Sequence, residues 1–300
     1  MDRLTSLEVF VAVAEEQSFS AAARRLALSA AAVTRAVAAL ERALGVRLLQ
    51  RTTRIVRLTE AGARYLLDAK RILAELEDAE LAVSGAQAEV RGTLAITASV
   101  LFGRAFVAPL VHEFLKRQEK VNVRALFVDR VLDLIEEGLD VAVRIAHLSD
   151  ASFTAVRVGA VRHVVCASPA FLKRHGVPRT PDGLKHLPAY CFSADRSPPA
   201  WSFKVGKRAL SVRPSARLLV NSPEVAMQGA VAGEGVTRVL SYQAAQEVKA
   251  GRLRVILSEF EPEPIPIHVI HREGRRASAR VRAFVDFAVA GLRENPLLRA

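Results

Sequence analysis

Hydrophobic and polar positions alternate with a helical period at the start of the chain. Leu7, Val9, Phe10, Val13 and Ala14 recur at helical spacing between Thr5 and Gln17, and they predict a first helix that Thr5 or Ser6 can cap. The hydroxyls in Ser18-Phe19-Ser20 can cap a short second helix, AAARRLA. A third helix is predicted from about Ala30 to Leu44, with Ser29 as its cap and Gly45 at its end.

The third predicted helix has two contrasting faces. Its inward face carries Val33, Val37, Leu40 and Leu44, and its opposite face carries small residues with a few polar ones. Such a bare face lets a helix backbone lie deep in the DNA major groove, where Thr34 and Arg35 reach base edges. The alternative is an alanine-rich helix of a small bundle. The candidate DNA-contacting residues of this segment are Ser29, Ala30, Ala31, Thr34, Arg35 and Arg42.

The next stretch, VRLLQRTTRIVRLTEAG, changes to a period of two and is rich in Thr, Ile and Val. This pattern predicts a short hairpin. The hairpin would carry Arg51, Arg54 and Arg57 beside the third helix, as a wing that contacts phosphates or the minor groove.

A long helix is predicted after Thr59, which can cap it, with Glu60 in the first turn complementing the helix dipole. Apolar residues follow in steps of three and four, and charged residues lie off this stripe. An unpaired helix of this length would expose the stripe, so we expect it to pair with a second copy of the chain. The predicted dimerisation residues are Tyr65, Ala69, Ile72, Leu76, Ala79 and Val83.

The remainder alternates predicted strands with predicted helices. GTLAITAS, VNVRALFV and DVAVRIA are typical of strands, and FGRAFVAPLVHEFLKRQ and RVLDLIEEG of the helices between them. This βαβ order predicts an α/β domain with a largely parallel sheet. A second group contains the predicted strands HVVCAS, AYCFS, GVTRVLS and LRVILSE, and PIPIHVIHR with a last helix from Ser278 to Arg293 closes the chain.

Charge is distributed unevenly over the 300 residues, whose net charge is +12. Residues 1–90 hold 12 Lys and Arg and 12 Asp and Glu, so the surplus lies in residues 91–300. Between Ser20 and Arg64, however, nine arginines face only two glutamates, which favours contact with nucleic acid. The acidic start lacks the features of a signal peptide, and no apolar run is long enough for a membrane span, so we expect a soluble, cytoplasmic protein.

The stretches LEVFVAVAEEQSFSAAARRLALS, AAVTRAVAALERALGVRLLQRTTR and LTEAG together resemble the DNA-binding region of LysR-type transcriptional regulators. The resemblance implies a winged helix-turn-helix domain over residues 1–58, a dimerising linker helix over 59–90 and an effector-binding domain over 91–300. For the effector-binding domain the resemblance implies a type 2 periplasmic-binding-protein fold, with lobe one at 91–160 and 265–300 and lobe two at 161–264. Ala30 and Ala31 replace a polar pair common in the family, and Thr34 replaces a Ser, so base readout rests more on Thr34 and Arg35.

The resemblance also implies a homotetramer, a dimer of dimers, on promoter DNA, and a small organic effector in the cleft between the lobes. Ligands in such sheets bind beyond the carboxyl ends of strands. The basic surplus is compatible with an anionic effector. The candidate effector-binding residues are Ser99, Val100, Ile145, Ala146, Asn221, Ser222, Val236 and Thr237. For Ser99 and Ser222 the alternative is a capping role alone.

Two other classes of protein are weighed against a regulator. A solute-binding protein would use the large domain but would leave residues 1–90 without a role. An enzyme would need a nucleophile, metal or cofactor, and no residue pattern indicates one, so we predict no cofactor, no metal and no enzymatic activity. Cys166 and Cys191 lie 25 residues apart, which favours two buried free thiols over a disulfide or zinc site.

Overall fold

The N-terminal part of the computed structural model is a three-helix unit. The structure describes residues 2–51, 56–83, 90–148, 153–193, 199–271 and 277–299. In these ranges it describes only the backbone of residues 51, 74, 75 and 77–83. The helices are α1 (Arg3–Glu16), α2 (Phe19–Arg25) and α3 (Ala30–Leu44). Asp2, and not Thr5 or Ser6, caps α1, because its carboxylate accepts the Thr5 N–H at 2.7 Å.

Apolar faces of these helices form one small core. Phe10, Val13, Val33, Val37 and Leu40 are almost completely buried in it, which confirms the inward face predicted for α3, although Leu44 is only half-buried. Two short antiparallel strands, β1 (Leu49–Arg51) and β2 (Val56–Leu58), follow as the predicted hairpin. Burying these side chains stabilises the unit by roughly 1.5 to 3 kcal/mol each.

The long helix α4 (Glu60–Val83) begins at Thr59, whose hydroxyl accepts the Gly62 N–H at 2.9 Å. Its first turns pack on the helical unit: the Tyr65 ring lies 5.6 Å from the Phe10 ring, and Ala69 is fully buried. Gly62 is required there, because a Cβ atom would lie 1.9 Å from the Leu48 carbonyl oxygen. The early part of the predicted dimerisation stripe is therefore covered within one chain.

A five-stranded sheet organises the next part of the chain. Its strands are β3 (Gly92–Ala98), β4 (Val121–Phe127), β5 (Val141–Ile145), β6 (Thr154–Val161) and β14 (Ile265–His271), in the order β4-β3-β5-β14-β6. The three leading strands are parallel, and β14 is antiparallel to both of its neighbours. Four strands thus run in one direction, as the predicted largely parallel sheet requires, and β14 runs against them because the chain returns there from the second lobe.

Helices cover this sheet. The crossover from β3 to β4 consists of α5 (Val100–Phe102), a π-helical turn (Gly103–Val107) and α6 (Ala108–Arg117), and α10 (Ala279–Glu294) packs beside α6. Phe114 and Phe284 meet edge to face with ring centroids 5.2 Å apart. These layers bury the largest hydrophobic core of the described chain.

The segment RVLDLIEEG does not form the predicted helix. It contains a single turn, in which the Asp133 carboxylate accepts the backbone N–H groups of Ile135 and Glu136. This local bond competes with helical hydrogen bonding, and Gly138 ends the turn at a φ of 59°. Val131, which precedes the turn, is 83% exposed.

The second lobe contains three small sheets. In the first, β7 (His163–Ala167) lies between β12 (Thr237–Leu240) and β13 (Arg254–Ile256), and in the second β8 (Pro188–Phe192) pairs with β11 (Ser215–Val220). The third is a hairpin of β9 (Trp201–Val205) and β10 (Arg208–Val212). The helices of this lobe are α7 (Pro169–His175), α8 (Pro223–Val231) and α9 (Ser241–Lys249). The sequence pattern did not predict β9, β10 or β11.

The two lobes contact each other through aromatic and charged side chains. Tyr242 of α9 packs its ring against Phe102 and Phe106 of the first lobe, with centroids 5.5 and 5.4 Å away. Arg104, from the π-helical turn, makes a 3.2 Å ion pair with Glu224 of α8. No helix in the described ranges combines the length and apolar character needed to cross a bilayer.

Candidate functional site

The outward face of α3 is nearly free of bulk. Ala30, Ala31 and Arg35 are exposed, whereas Thr34 is half-buried. The Ser29 hydroxyl is exposed and accepts the Ala32 N–H at 3.1 Å, so it caps the helix as predicted. A helix with this surface fits the major groove, with Arg35 free to reach a base edge and Thr34 more restricted.

Arg42 lies at the far end of this face. It is exposed, and its Nε–H donates to the Ala38 carbonyl at 3.3 Å. Because the side chain is exposed, a phosphate could accept from the remaining donors of its guanidinium group.

The hairpin is fixed to α3 by a glutamate that sequence reasoning missed. One carboxylate oxygen of Glu41 accepts the backbone N–H groups of Leu48 and Leu49, at 2.8 and 3.0 Å. Charge-assisted bonds of this kind are stronger than neutral ones, so the hairpin is held in a defined position. Arg57 is exposed on the hairpin, whereas Arg54 and the Arg51 side chain lie outside the described residues.

The predicted dimerisation stripe on α4 divides into two parts. Ala69 is fully buried in the core of its own chain, so its assignment to a second copy is corrected; Tyr65 packs on the same core but is only half-buried. Ile72 is 38% exposed and Leu76 is half-buried, so both retain surface for a partner. The side chains of Ala79 and Val83 lie outside the description.

A cavity of about 330 Å³ lies between the lobes, at the carboxyl ends of β3 and β5. Its volume is at the lower end of the range for small-molecule sites. Both lobes supply its walls, which are mostly apolar. The first lobe contributes Ala98, Leu101, Val128, Val143, Ile145 and Ala146 among others, and the second contributes Phe192, Pro223, Leu240 and Tyr242.

Three of the eight predicted effector-binding residues line this cavity: Ser99, Ile145 and Ala146. The other five do not line it. Val100 lies next to the wall, Asn221 is exposed, and Ser222 caps α8 by accepting the Val225 N–H at 3.4 Å.

Val236 and Thr237 need a correction of their predicted role. Both are fully buried, and the Thr237 hydroxyl donates to the Tyr190 carbonyl at 2.8 Å. Their strand end faces β8, where Val236 forms a bridge with Ala189, and not the space between the lobes. They therefore support the second lobe from within.

Charged residues of the cavity come from the loop after β4 and from the end of β5. Arg144, at the end of β5, is half-buried and donates to the Leu132 carbonyl, with no carboxylate partner among the described residues. Arg130 is paired with Glu137 at 3.0 Å, and the Asp129 carboxylate accepts the Val100 N–H at 3.0 Å. Among the described residues that line the cavity, Arg144 is therefore the arginine without a carboxylate partner. Sequence reasoning missed it, although an arginine in the apolar strand DVAVRIA is a visible signal.

Two titratable groups of the second lobe line the cavity. Burial, together with the nearby Arg238 charge, lowers the pKa of His163 to about 4, so its imidazole is neutral at pH 7, and its buried Nδ1 has no hydrogen-bond partner. Burial raises the pKa of Tyr242 to about 12 against the opposing hydrogen bonds from Gln243 and Ser99. Both side chains are therefore neutral hydrogen-bonding groups.

Metal and thiol chemistry find little support in the residues that the structure describes. Those residues contain no group of three or more His, Cys, Asp or Glu that could hold a metal ion. Cys166 and Cys191 are buried free thiols, and burial raises their pKa to about 12 and about 11. Both are thus protonated and unreactive at neutral pH.

Two family models match the chain and together span most of it. Residues 4–63 match the family described as bacterial regulatory helix-turn-helix protein, lysR family, and residues 87–293 match the LysR substrate binding domain. The unmatched residues between these two models, 64–86, include most of α4.

Relatives of known role match over nearly their full length. A transcriptional repressor of Pseudomonas aeruginosa, PA14_22550, is 32% identical over 99% of this chain and 94% of its own. The transcriptional activator AaeR of Escherichia coli is 31% identical over 95% and 93%. The solved structure of CrgA from Neisseria meningitidis, a LysR-type regulator, is 30% identical, covers 97% of this chain and 99% of its own, and superposes with a TM-score of 0.61.

Proposed function

Since the chain belongs to the LysR family of bacterial transcriptional regulators, we propose that its α3 helices read promoter half-sites under the control of a small organic effector in the interlobe cavity. The chain is a DNA-binding regulator and not an enzyme. In this proposal α3 contacts specific bases, a small effector binds between the lobes, and several copies of the chain assemble on the promoter in the cytoplasm.

The outward face of α3 is the observation that supports DNA binding by this helix. Ala30 and Ala31 allow close approach of the helix backbone, and Arg35 is the exposed side chain there that can make a bidentate contact to a guanine. Arg42 and Arg57 would contact phosphates on either side and contribute affinity without sequence preference. Two copies of the chain would place two such helices on the halves of a near-palindromic site.

Replacing Arg35 by Ala tests this assignment on the intergenic DNA next to the gene. We expect the preference for that fragment over random duplex to fall by about 1 to 3 kcal/mol, measured by titration with each duplex, because one base contact is lost. Arg3→Ala, an exposed arginine on α1, is the matched control and should bind like the parent chain. An unchanged preference in Arg35→Ala would defeat the assignment.

Arg144 supports the proposal that the effector is an organic anion. Its guanidinium is half-buried, donates to the Leu132 carbonyl and has no carboxylate partner in the described part of the chain, so an anion in the cavity could make charge-assisted hydrogen bonds with it. The apolar walls would hold the carbon skeleton of the effector, and Ser99, His163 and Gln243 would offer neutral hydrogen bonds. A small carboxylic acid fits this combination of one charge and mostly apolar surface.

A panel of small carboxylic acids, screened by isothermal titration calorimetry, tests the anion. A ligand found with the parent chain should bind Arg144→Gln about tenfold or more weakly, because a charge-assisted hydrogen bond is worth roughly 1.5 to 3 kcal/mol. Arg144→Lys keeps the charge and should retain part of the affinity. Equal affinity for the parent and Arg144→Gln would contradict this role.

Assembly and control are proposed from the family and from α4. Ile72 and Leu76 would pair with the same residues of a second chain, and two such dimers would form the tetramer. Effector binding would change how far lobe one (91–160 and 265–300) closes on lobe two (161–264). Through the linker at 59–90, this closure would change the spacing between the helix-turn-helix units at 1–58. Such coupling requires that the effector bind two assembly states with different affinity.

A further inference from the structure

The second lobe carries an uncompensated basic segment. Residues 199–222, PAWSFKVGKRALSVRPSARLLVNS, contain five cations and no Asp or Glu. They form the β9–β10 hairpin and the strand β11. We name this surface the basic hairpin; its cations are Lys204, Lys207, Arg208, Arg213 and Arg217.

All five cations are exposed, and most of them lack an acidic partner. Lys204 is paired with Glu263 of the loop before β14. The other four make no ion pair with the carboxylates that the structure describes. Exposed cations without partners raise the local potential and attract anions.

The hairpin holds these charges on a rigid support. Trp201 and Phe203 are buried in the core of the lobe, and the opposite face of the strands carries Ser202 across from Ser211 and Lys204 across from Ala209. Arg208 lies across from Val205, at the exposed end of the Trp201 face. Lys207 sits at the tip beside Gly206.

Arg213 and Arg217 extend the charge beyond the hairpin. Arg213 directly follows β10, and Arg217 occupies the irregularity between Ala216 and Leu218 in β11. Such a bulge turns a side chain away from its strand. From Arg208 to Arg213 the extended chain spans about 17 Å.

The spread of these charges indicates the kind of partner. A small anion is held by donors that converge on one point, whereas these cations are distributed over about half a turn of duplex DNA. Exposed serines between them can donate to phosphate oxygens, and the surface has few bulky side chains to prevent approach. Duplex DNA, a long and uniform polyanion, therefore fits this arrangement of cations better than a small anion does.

Charge balance across the chain points to the same partner. Residues 1–90, which contain α3, carry equal numbers of acidic and basic residues, although the protein binds DNA. The surplus lies in residues 91–300. We infer that the basic hairpin contacts the phosphate backbone of promoter DNA outside the bases read by α3, as a second, sequence-independent DNA-binding surface.

Targeted cleavage of DNA tests this inference on the full-length chain. Cys166 and Cys191 are buried, so Lys207→Cys supplies an accessible thiol that can carry an iron–EDTA cleavage reagent. Bound to a 100-bp random-sequence duplex at low salt, this conjugate should cut the duplex severalfold more than a conjugate of Arg254→Cys, an exposed cation of β13. Because Arg35 is not needed for this contact, the cutting should persist when Arg35→Ala is added, even if the assignment of α3 to base readout fails.

The salt dependence of binding to the same duplex is the second readout. Replacing Lys207, Arg208 and Arg213 together by Gln should reduce the slope of log affinity against log salt by about 3, since each phosphate contact contributes roughly 0.9. Lys173, Lys249 and Arg254, replaced together by Gln, remove the same charge elsewhere on the lobe and should leave the slope unchanged. Equal slopes for both triple variants, or equal cutting by both conjugates, would overturn the inference. These are also the results expected if the basic hairpin binds an acidic protein instead of DNA.

Discussion

Ala31 adds only a methyl group to the outward face of α3. It is exposed on α3, so it makes no contribution to the core, and a larger residue there would fit without disturbing the fold. We expect Ala31→Phe to weaken binding to the intergenic duplex at least tenfold, about 1.4 kcal/mol, because the added ring holds the helix out of the groove. Fluorescence anisotropy gives the affinity.

Ala43→Phe is the matched control for this prediction, since Ala43 is an exposed alanine at the opposite end of the same helix. Both variants should melt at the temperature of the parent chain. If Ala31→Phe binds DNA as tightly as Ala43→Phe does, the bare face has no role in DNA binding.

His163 should make stability depend on pH. Its pKa of about 4 lies below the value of 6.5 that it has when unfolded, so below pH 6.5 the unfolded chain takes up a proton that the folded chain does not. Its contribution to the free energy of unfolding is therefore present above pH 6.5 and falls, by up to about 3 kcal/mol, as the pH drops to 4.

Urea titrations of the parent chain and of His163→Gln between pH 7 and 4 measure this dependence. The variant should lose less stability over that range, because Gln does not titrate. Parallel losses in both chains would show that His163 is not the buried neutral group described above.

The sequence predicted the residues of the α3 face better than the residues of the interlobe cavity. The periodicity of α3 was sufficient to separate Val33 and Val37 from Arg35, because burial follows directly from helical geometry. Strand ends were less informative: Thr237 was assigned to the cavity but is buried against β8, and Arg144 was overlooked. Which end of a strand faces a cavity depends on long-range packing, which local pattern does not encode.

Elements were predicted best where local signals agreed. The observed bounds of α3, Ala30 to Leu44, match the prediction because a serine cap and a terminal glycine enclose a regular apolar stripe. RVLDLIEEG also has helical periodicity, but Asp133 bonds to nearby backbone N–H groups and limits it to one turn. The first half of the predicted α4 stripe packs on α1 in the same chain.

The second half of the α4 stripe should hold two chains together. Replacing both Ile72 and Leu76 by Asp should weaken the dimer by about a hundredfold or more, because burying unpaired carboxylates costs several kcal/mol. Sedimentation velocity over a range of concentrations measures the change.

Asp at Ala63 and Arg64, which are exposed and lie off the stripe of the same helix, provides the control and should leave the assembly intact. A parent-like sedimentation coefficient for the Ile72 and Leu76 double variant would refute pairing through this surface.

At the scale of the whole molecule, the chain joins a DNA-contacting unit to two lobes around a cavity. The lobes meet through the aromatic contacts of Tyr242 and through the exposed pair of Arg104 and Glu224, so a ligand between them would contact both at once. The order of strands and helices indicated an α/β domain, whereas the antiparallel return of β14 could be seen only in the folded chain.

Protection of guanine N7 atoms from methylation by dimethyl sulfate is the most direct test that α3 enters the major groove, because N7 lies on the groove floor. On the intergenic duplex, the parent chain should protect guanines in two half-sites, and Arg35→Ala, at a concentration that restores occupancy, should lose protection at one guanine in each. Identical protection by both chains would contradict the account.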